Sequence, residues 1–314
     1  MKVSVSLCLN HAPFAHDRVP GMNRMIEHLE LRDGEGPRGP FWVHDIDYRK
    51  GGTVGKESRV DFTLNQWRWA VKQPTTHHAF ATDDLELVPR FWEVLDAILE
   101  VAPNDVIGLL SNHPDGPGLS DRHRFYATNS WVVGPMYVVP HSMLEQLLAW
   151  PDTYKWDARF HGWSDDATLN AWVTFGGPGR TLHPLPTPIE HDPEGLMSTW
   201  SHTGCGGEYS RERLSWRKYA ARSHLDEAAV AEQMLDVGFW RDRGGPERAP
   251  RLPFPITDPP PRLDGSYRSA RSHSRFATAG SYFPFRSPRR SLRAPELRPR
   301  SGRSRPAGAT EPSR

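Results

Sequence analysis

Two adjacent carboxylates, Asp83 and Asp84, follow a short strand-like segment, residues 76–82, and precede a helix-like pattern. Neighbouring carboxylates repel each other unless a cation or hydrogen-bond donors compensate their charge. Mg²⁺ or Mn²⁺ would supply that compensation while bridging to a diphosphate, because such an ion takes one or two carboxylates and completes its shell with phosphate oxygens and water. The pair is also compatible with an ordinary helix cap. The apolar segment directly upstream, within an alternating α/β pattern, favours a metal site.

A second acidic pair, Asp165 and Asp166, opens a helix-like segment directly after Ser164. A carboxylate here could be a general base that deprotonates an acceptor hydroxyl, if it lies within hydrogen-bonding reach of that oxygen. Aromatic side chains between residues 156 and 163 could stack on a sugar or a base. Because Ser164 and the two acids also suit a helix N-terminus, a purely structural role stays open.

His191 follows a strand-like segment and lies between Glu190 and Asp192, so a neutral imidazole could join the same metal site. A lone histidine is more often a surface or packing residue, and this alternative stays open. A zinc site with His202 and Cys205 is weakly indicated, since no CxxC or HExxH motif accompanies them. The chain also lacks a P-loop, a GxGxxG motif after its first strand and a GxSxG motif, which narrows the field of enzyme classes.

These residues need a scaffold that brings them together. From residue 1 to about residue 200, strand-like segments alternate with amphipathic helix-like segments, beginning with the strand pattern KVSVSLCL over residues 2–9. Such alternation predicts an α/β fold with a mostly parallel sheet flanked by helices. Because ligands bind at the carboxyl ends of the strands in such sheets, the end of segment 76–82 is the expected site.

The C-terminal part of the chain has a different composition. Residues 246–314 contain 15 arginines, no lysine and five acidic residues, a net charge of +10, which leaves −9 for the first 245 residues since the whole chain carries +1. Its 13 prolines and its lack of apolar periodicity predict disorder. We therefore expect a main α/β domain over residues 1–205, a peripheral helical extension over 206–245 and a disordered basic tail over 246–314.

The cysteine content and the N-terminus indicate the cellular setting. Two cysteines, Cys8 and Cys205, exclude a disulfide framework, so a reducing, cytoplasmic setting is expected. The N-terminal segment has the pattern of a first β-strand, not of a signal peptide. No apolar run approaches the roughly 18 residues that a membrane helix needs, so no membrane partner is expected.

The two acidic pairs and His191, in this order and spacing, resemble the motifs of the GT-A glycosyltransferases. The matching segments are HHAFATDDLELVPRFWEVL, WSDDATLNAW and PIEHDPEGLMSTW, and the resemblance covers roughly residues 1–200. It implies a Rossmann-like GT-A catalytic domain, a Mn²⁺ or Mg²⁺ cofactor and a nucleotide-sugar donor. Carried over residue by residue, it assigns metal binding to Asp84, Asp83 and His191, a place near the nucleotide to Asn10, His11 and Asp83, and the role of base to Asp166, with Asp165 as the alternative. Because Thr82-Asp83-Asp84-Leu85 is not a strict D-x-D, the division of labour between the two aspartates stays open.

The expected function is therefore transfer of a sugar from a nucleotide sugar to an acceptor hydroxyl, with inversion at the anomeric carbon. The basic tail suits a polyanion such as DNA, because arginine pairs well with phosphate. Within the superfamily, the Trp-Ser-Asp-Asp segment is most similar to phage and actinobacterial enzymes that glycosylate hypermodified DNA bases, which makes DNA a candidate acceptor. The tail is equally compatible with the codon bias of a GC-rich gene.

Two other functions stay open. A nucleotidyltransferase would use the same sheet and metal chemistry, although the expected Gly-rich loop with an activating basic residue is missing after the first strand. In a non-catalytic nucleic-acid-binding protein, both acidic pairs would only cap helices.

Overall fold

The computed structural model describes residues 2–12, 18–45, 56–110, 116–128, 135–153, 165–191 and 214–252. They belong to one folded unit that runs from Met1 to Tyr267, and the other unit, Arg268–Arg314, lies outside the described residues. The described strands are β1 Val5–His11, β2 Glu35–Gly36, β3 Gly39–Asp45, β4 His77–Thr82, β5 Leu85–Leu87, β6 Val106–Gly108, β7 Phe125–Thr128, β8 Met136–Pro140, β9 Thr181–Pro184, β10 Ile189–His191 and β11 Arg251–Leu252. The described helices are α1 Val19–His28, α2 Lys56–Ala70, α3 Phe91–Val101, α4 Gly116–Ser120, α5 His141–Thr153, α6 Asp165–Phe175, α7 Trp216–Ser223, α8 Glu227–Met234 and α9 Val237–Arg241.

Nine of the described strands form one mixed sheet in the order β11-β7-β9-β6-β8-β4-β1-β3-β2. Strand β1 is parallel to both of its neighbours, β3 and β4. Strand β8 lies between β4 and β6 and is antiparallel to both. The predicted α/β class is confirmed, and the sheet combines a parallel β3-β1-β4 part with antiparallel pairs.

Helices cover both faces of this sheet because side chains alternate along its buried strands. Leu7 and Leu9 of β1 face the core that includes α1 and α3, whereas Cys8 faces a second core with Trp67 of α2 and side chains of α5 and α6. On this second face the indole Nε1 of Trp67 donates a hydrogen bond to the hydroxyl of Tyr137, 3.2 Å away. The alternating apolar pattern of β1 thus produces a three-layer arrangement with two separate cores.

A smaller sheet of two antiparallel strands, β5 and β10, follows the end of β4, and it pairs Leu85 with His191. Helix α8 packs on both α7 and α9, and α8 and α9 also pack on α3. The chain then forms a 3₁₀ turn, Pro246–Arg248, and β11, which pairs with β7. Residues 246–252, predicted as the start of the tail, therefore belong to the folded unit, and residues 253–314 lie outside the described residues. Among the described helices, none has the length and apolar character required to cross a membrane.

Candidate functional site

The predicted acidic pair lies at the carboxyl end of β4, where the chain leaves the large sheet. Asp83 and Asp84 sit between Thr82, the last residue of β4, and Leu85, the first residue of β5. Since Leu85 pairs with His191, the small sheet brings this histidine to the acidic pair. The Nε2 atom of His191 lies 3.1 Å from Oδ2 of Asp84, although the two residues are 107 positions apart in the chain.

Asp83 is fully buried, and its carboxylate contacts residues at the end of β1. Its Oδ2 lies 2.6 Å from Nδ1 of His11 and accepts a hydrogen bond of 3.2 Å from the backbone N–H of Ala12. Burial raises the pKa of Asp83, and the neighbouring Arg18 and His11 offset only part of this effect. This carboxylate therefore ties the end of β1 to the end of β4.

Asp84 has a different electrostatic environment, although its exposed fraction is only 4%. Burial alone would raise the pKa of Asp84, but His191, Arg18 and the hydroxyl of Thr82 outweigh it and the pKa is lowered. The Thr82 hydroxyl donates to Oδ1 of Asp84 over 2.5 Å. Asp84 is thus the more readily ionised aspartate of the pair, and an ionised carboxylate is the state that a metal ligand requires.

The guanidinium of Arg18 contacts both carboxylates. Its Nη2 atom lies 2.9 Å from Oδ1 of Asp83 and also touches Oδ2 of Asp84. Arg18 immediately precedes α1, and only 5% of its surface is exposed. The sequence indicated that the acidic pair needs a compensating positive charge, but no motif assigned that role to this arginine. The one available signal was that Arg18 lies shortly after β1, because β1 and β4 are parallel and end at the same edge of the sheet.

The Oδ2 atom of Asp84 and the Nε2 atom of His191 form a hydrogen bond or ion pair in the structure, and their spacing would also allow both to bind one divalent cation. Two neighbouring ligands of an octahedral ion lie about 3.0 Å apart when each is about 2.1 Å from the metal, and the distance between Oδ2 of Asp84 and Nε2 of His191 is 3.1 Å. Within the part of the chain that the structure describes, no group of three His, Cys, Asp or Glu side chains could hold a metal ion. A cation at Asp84 and His191 would therefore complete its shell with oxygens from a bound ligand and water, and Arg18 would have to leave Asp84.

Asn10 and His11, both predicted to lie near the nucleotide, point to opposite faces of the sheet. His11 meets Asp83, as described above. Asn10 accepts a hydrogen bond from the side-chain amide of Gln66 on α2, and Gln66 is fully buried. The alternation of side chains along β1 makes this separation necessary, because the two residues are consecutive. Of the two, His11 belongs to the cluster of Asp83 and Asp84.

Asp165 and Asp166 are the first two residues of α6, as the sequence predicted. The helix packs through Leu169 and Trp172 in the core that contains α2 and α5. The side chains of Asp165 and Asp166 lie outside the described part of the structure, so their role as a base stays a prediction. The predicted stacking residues between 156 and 163 also lie outside it.

An arginine on α7 holds the small sheet that carries His191. Glu86 and Glu190 stand directly opposite each other in this sheet, where like charges repel. Arg217 binds Glu86 with both terminal nitrogens and lies 3.9 Å from Glu190. Because its side chain is 35% exposed, these ion pairs contribute little to the free energy of unfolding, but they link α7 to both strands of the small sheet.

A scan against protein-family models finds no match to the chain, and a search of curated proteins finds no relative.

Proposed function

We propose that this protein is a metal-dependent glycosyltransferase that moves a sugar from a nucleotide-sugar donor to an acceptor hydroxyl. The observation that carries the proposal is the contact between Asp84 and His191 at the carboxyl end of β4. This edge of an α/β sheet is where ligands commonly bind. The site joins an ionised carboxylate, an imidazole and a buried arginine, which together suit a divalent cation and a diphosphate.

Each residue of the site has a defined task in this proposal. Asp84 and His191 hold the cation, and Asp83 keeps the ends of β1 and β4 together through His11. Asp166, with Asp165 as the alternative, removes the proton of the acceptor hydroxyl during an inverting displacement at the anomeric carbon. A bound Mn²⁺ or Mg²⁺ would neutralise the charge that develops on the leaving diphosphate.

The charge distribution of the chain favours a polyanionic acceptor such as DNA. Residues 246–314 carry a net charge of +10 and residues 1–245 a net charge of −9, so a basic C-terminal segment follows an acidic part of the chain. Arginine binds phosphate well, and this attraction does not depend on base sequence. The similarity of the Trp-Ser-Asp-Asp segment to enzymes that glycosylate DNA bases adds to this charge argument, and on both grounds we propose a modified DNA base as the acceptor.

A screen of donors tests the function. UDP- and GDP-sugars are incubated with the protein, Mn²⁺ and base-modified DNA, and release of the nucleoside diphosphate is measured. We expect release that needs Mn²⁺ and acceptor, and that is lost in Asp84→Asn and in Asp166→Asn. Transfer that persists in Asp84→Asn would contradict the proposed site. If Asp166→Asn keeps its rate while Asp165→Asn loses it, the roles of the two acids are reversed.

A further inference from the structure

Arg18 uses only part of its hydrogen-bonding capacity in the described structure. A guanidinium binds best as a planar fork, with two parallel N–H groups on one carboxylate or phosphate. Here one terminal nitrogen serves both Asp83 and Asp84. Its Nε atom is buried and has no hydrogen-bond acceptor among the described residues. The acidic pair therefore leaves the fork of Arg18 without the two-pronged partner that it fits best.

The position of Arg18 also conflicts with a cation at the same site. Its Nη2 touches Oδ2 of Asp84, which is the oxygen 3.1 Å from His191 Nε2. A divalent cation bound to that oxygen and the guanidinium would repel each other at this distance. One of the two positive groups must therefore leave Asp84 when the other binds.

We propose that Arg18 exchanges partners: it neutralises Asp83 and Asp84 in the free protein, and it passes to the diphosphate of the donor when a divalent cation binds Asp84 and His191. This inference rests on the proposed function. A diphosphate supplies the adjacent oxygens that a guanidinium fork needs, and its negative charge offsets the proximity of Arg18 to the cation. The cation and the diphosphate then bind cooperatively, because each removes an obstacle to the other.

The exchange makes two affinities change in opposite directions when Arg18 is replaced. Without its guanidinium, Arg18→Met should bind Mn²⁺ alone about tenfold or more tightly, since the competing positive charge is gone. At saturating Mn²⁺, the same variant should bind UDP and GDP about tenfold or more weakly, since a charge-assisted hydrogen bond to phosphate is lost. Isothermal titration calorimetry measures the affinity for Mn²⁺, UDP and GDP, each titrated alone, and then the affinity for each nucleotide at saturating Mn²⁺.

A purely structural counter-ion gives a different result. In that case Arg18→Met also gains Mn²⁺ affinity, but its nucleotide affinity at saturating Mn²⁺ equals that of the unmodified protein, and the proposal is overturned. The matched control is Arg38→Met, which removes the 2.7 Å ion pair of Arg38 with Asp96 and should change neither affinity.

A second variant covers the case in which Arg18→Met does not fold. Arg18→Lys keeps one positive charge beside the buried aspartates but lacks the planar fork. We expect it to bind Mn²⁺ alone much as the unmodified protein does, and to bind UDP and GDP several-fold more weakly at saturating Mn²⁺. Unchanged nucleotide affinity in this variant overturns the exchange. Failure of the proposed function looks different, because Mn²⁺ binding to the unmodified protein would then be absent or would survive Asp84→Asn.

Discussion

His78, at the start of β4, makes the stability of the sheet depend on pH. Its ring is fully buried, with Nδ1 2.7 Å from the hydroxyl of Ser6 and Nε2 2.8 Å from Nδ1 of His141. Burial, followed by the proximity of His141 and His77, lowers the pKa of His78 from 6.5 to about 3. The unfolded chain therefore takes up a proton near pH 6.5 that the folded protein does not accept until much lower pH.

The direction and size of the effect follow from proton linkage. The stabilisation is fully present above pH 6.5 and is lost as the pH falls toward 3, because the unfolded chain binds more protons in that window. A group with these two pKa values, 6.5 and about 3, lowers the free energy of unfolding by about 2 kcal/mol between pH 7 and pH 5. Acidification thus lowers the free energy of unfolding of the protein.

Urea unfolding at pH 7 and at pH 5 measures this contribution. The free energy of unfolding of His78→Gln should fall by about 2 kcal/mol less between the two pH values than that of the unmodified protein. The control is His224→Gln, since His224 is exposed and its replacement should leave the pH dependence unchanged. If His78→Gln shows the full pH dependence of the unmodified protein, the assignment of this effect to the buried ring is wrong.

Three further predictions concern the support of the site, the core and the tail. Arg217→Gln should weaken Mn²⁺-dependent nucleotide binding several-fold and lower the free energy of unfolding by less than about 1 kcal/mol. The control is Arg222→Gln, which removes an exposed ion pair with Asp121 and should change neither quantity. Calorimetry measures the nucleotide affinity, and urea unfolding measures the stability. Gly108→Ala should destabilise the protein by about 1–3 kcal/mol in urea unfolding, because a Cβ there would lie 2.6 Å from the ring of His183, whereas Gly118→Ala meets no atom within 4 Å and should not. Deletion of residues 253–314, which carry 13 arginines, should lower DNA affinity and flatten its salt dependence in fluorescence anisotropy titrations. Unchanged binding would show that this basic segment does not bind DNA.

The sequence predicted the parts of the fold and site that depend on local pattern. The alternation around β1 and the apolar segment before Asp83 identified buried strands, and strand ends in such a sheet converge on one edge. His191 could be placed near Asp84 only through its resemblance to a known motif, because the two residues are 107 positions apart in the chain.

Features that arise from tertiary contacts are not encoded in the local sequence pattern. Strand β8 follows β7 in the chain but lies between β4 and β6 in the sheet, antiparallel to both. Its apolar composition encodes neither that position nor that direction. Likewise, Arg18 reaches the acidic pair only after α1 has been placed beside the sheet. The opposite orientations of Asn10 and His11 could have been predicted, since consecutive residues of a strand face opposite sides.

The central claim is that Asp84 links a divalent cation to a nucleoside diphosphate, and calorimetry tests it most directly. UDP and GDP are titrated into the protein with and without Mn²⁺, and the titrations are repeated with Asp84→Asn. The matched control is Asp105→Asn, which removes a carboxylate bound to Arg180 at 2.7 Å, before β6. We predict Mn²⁺-dependent nucleotide binding in the unmodified protein and in the control, and its loss in Asp84→Asn. Mn²⁺-linked affinity that persists in Asp84→Asn, or that is absent from the unmodified protein, would contradict the account.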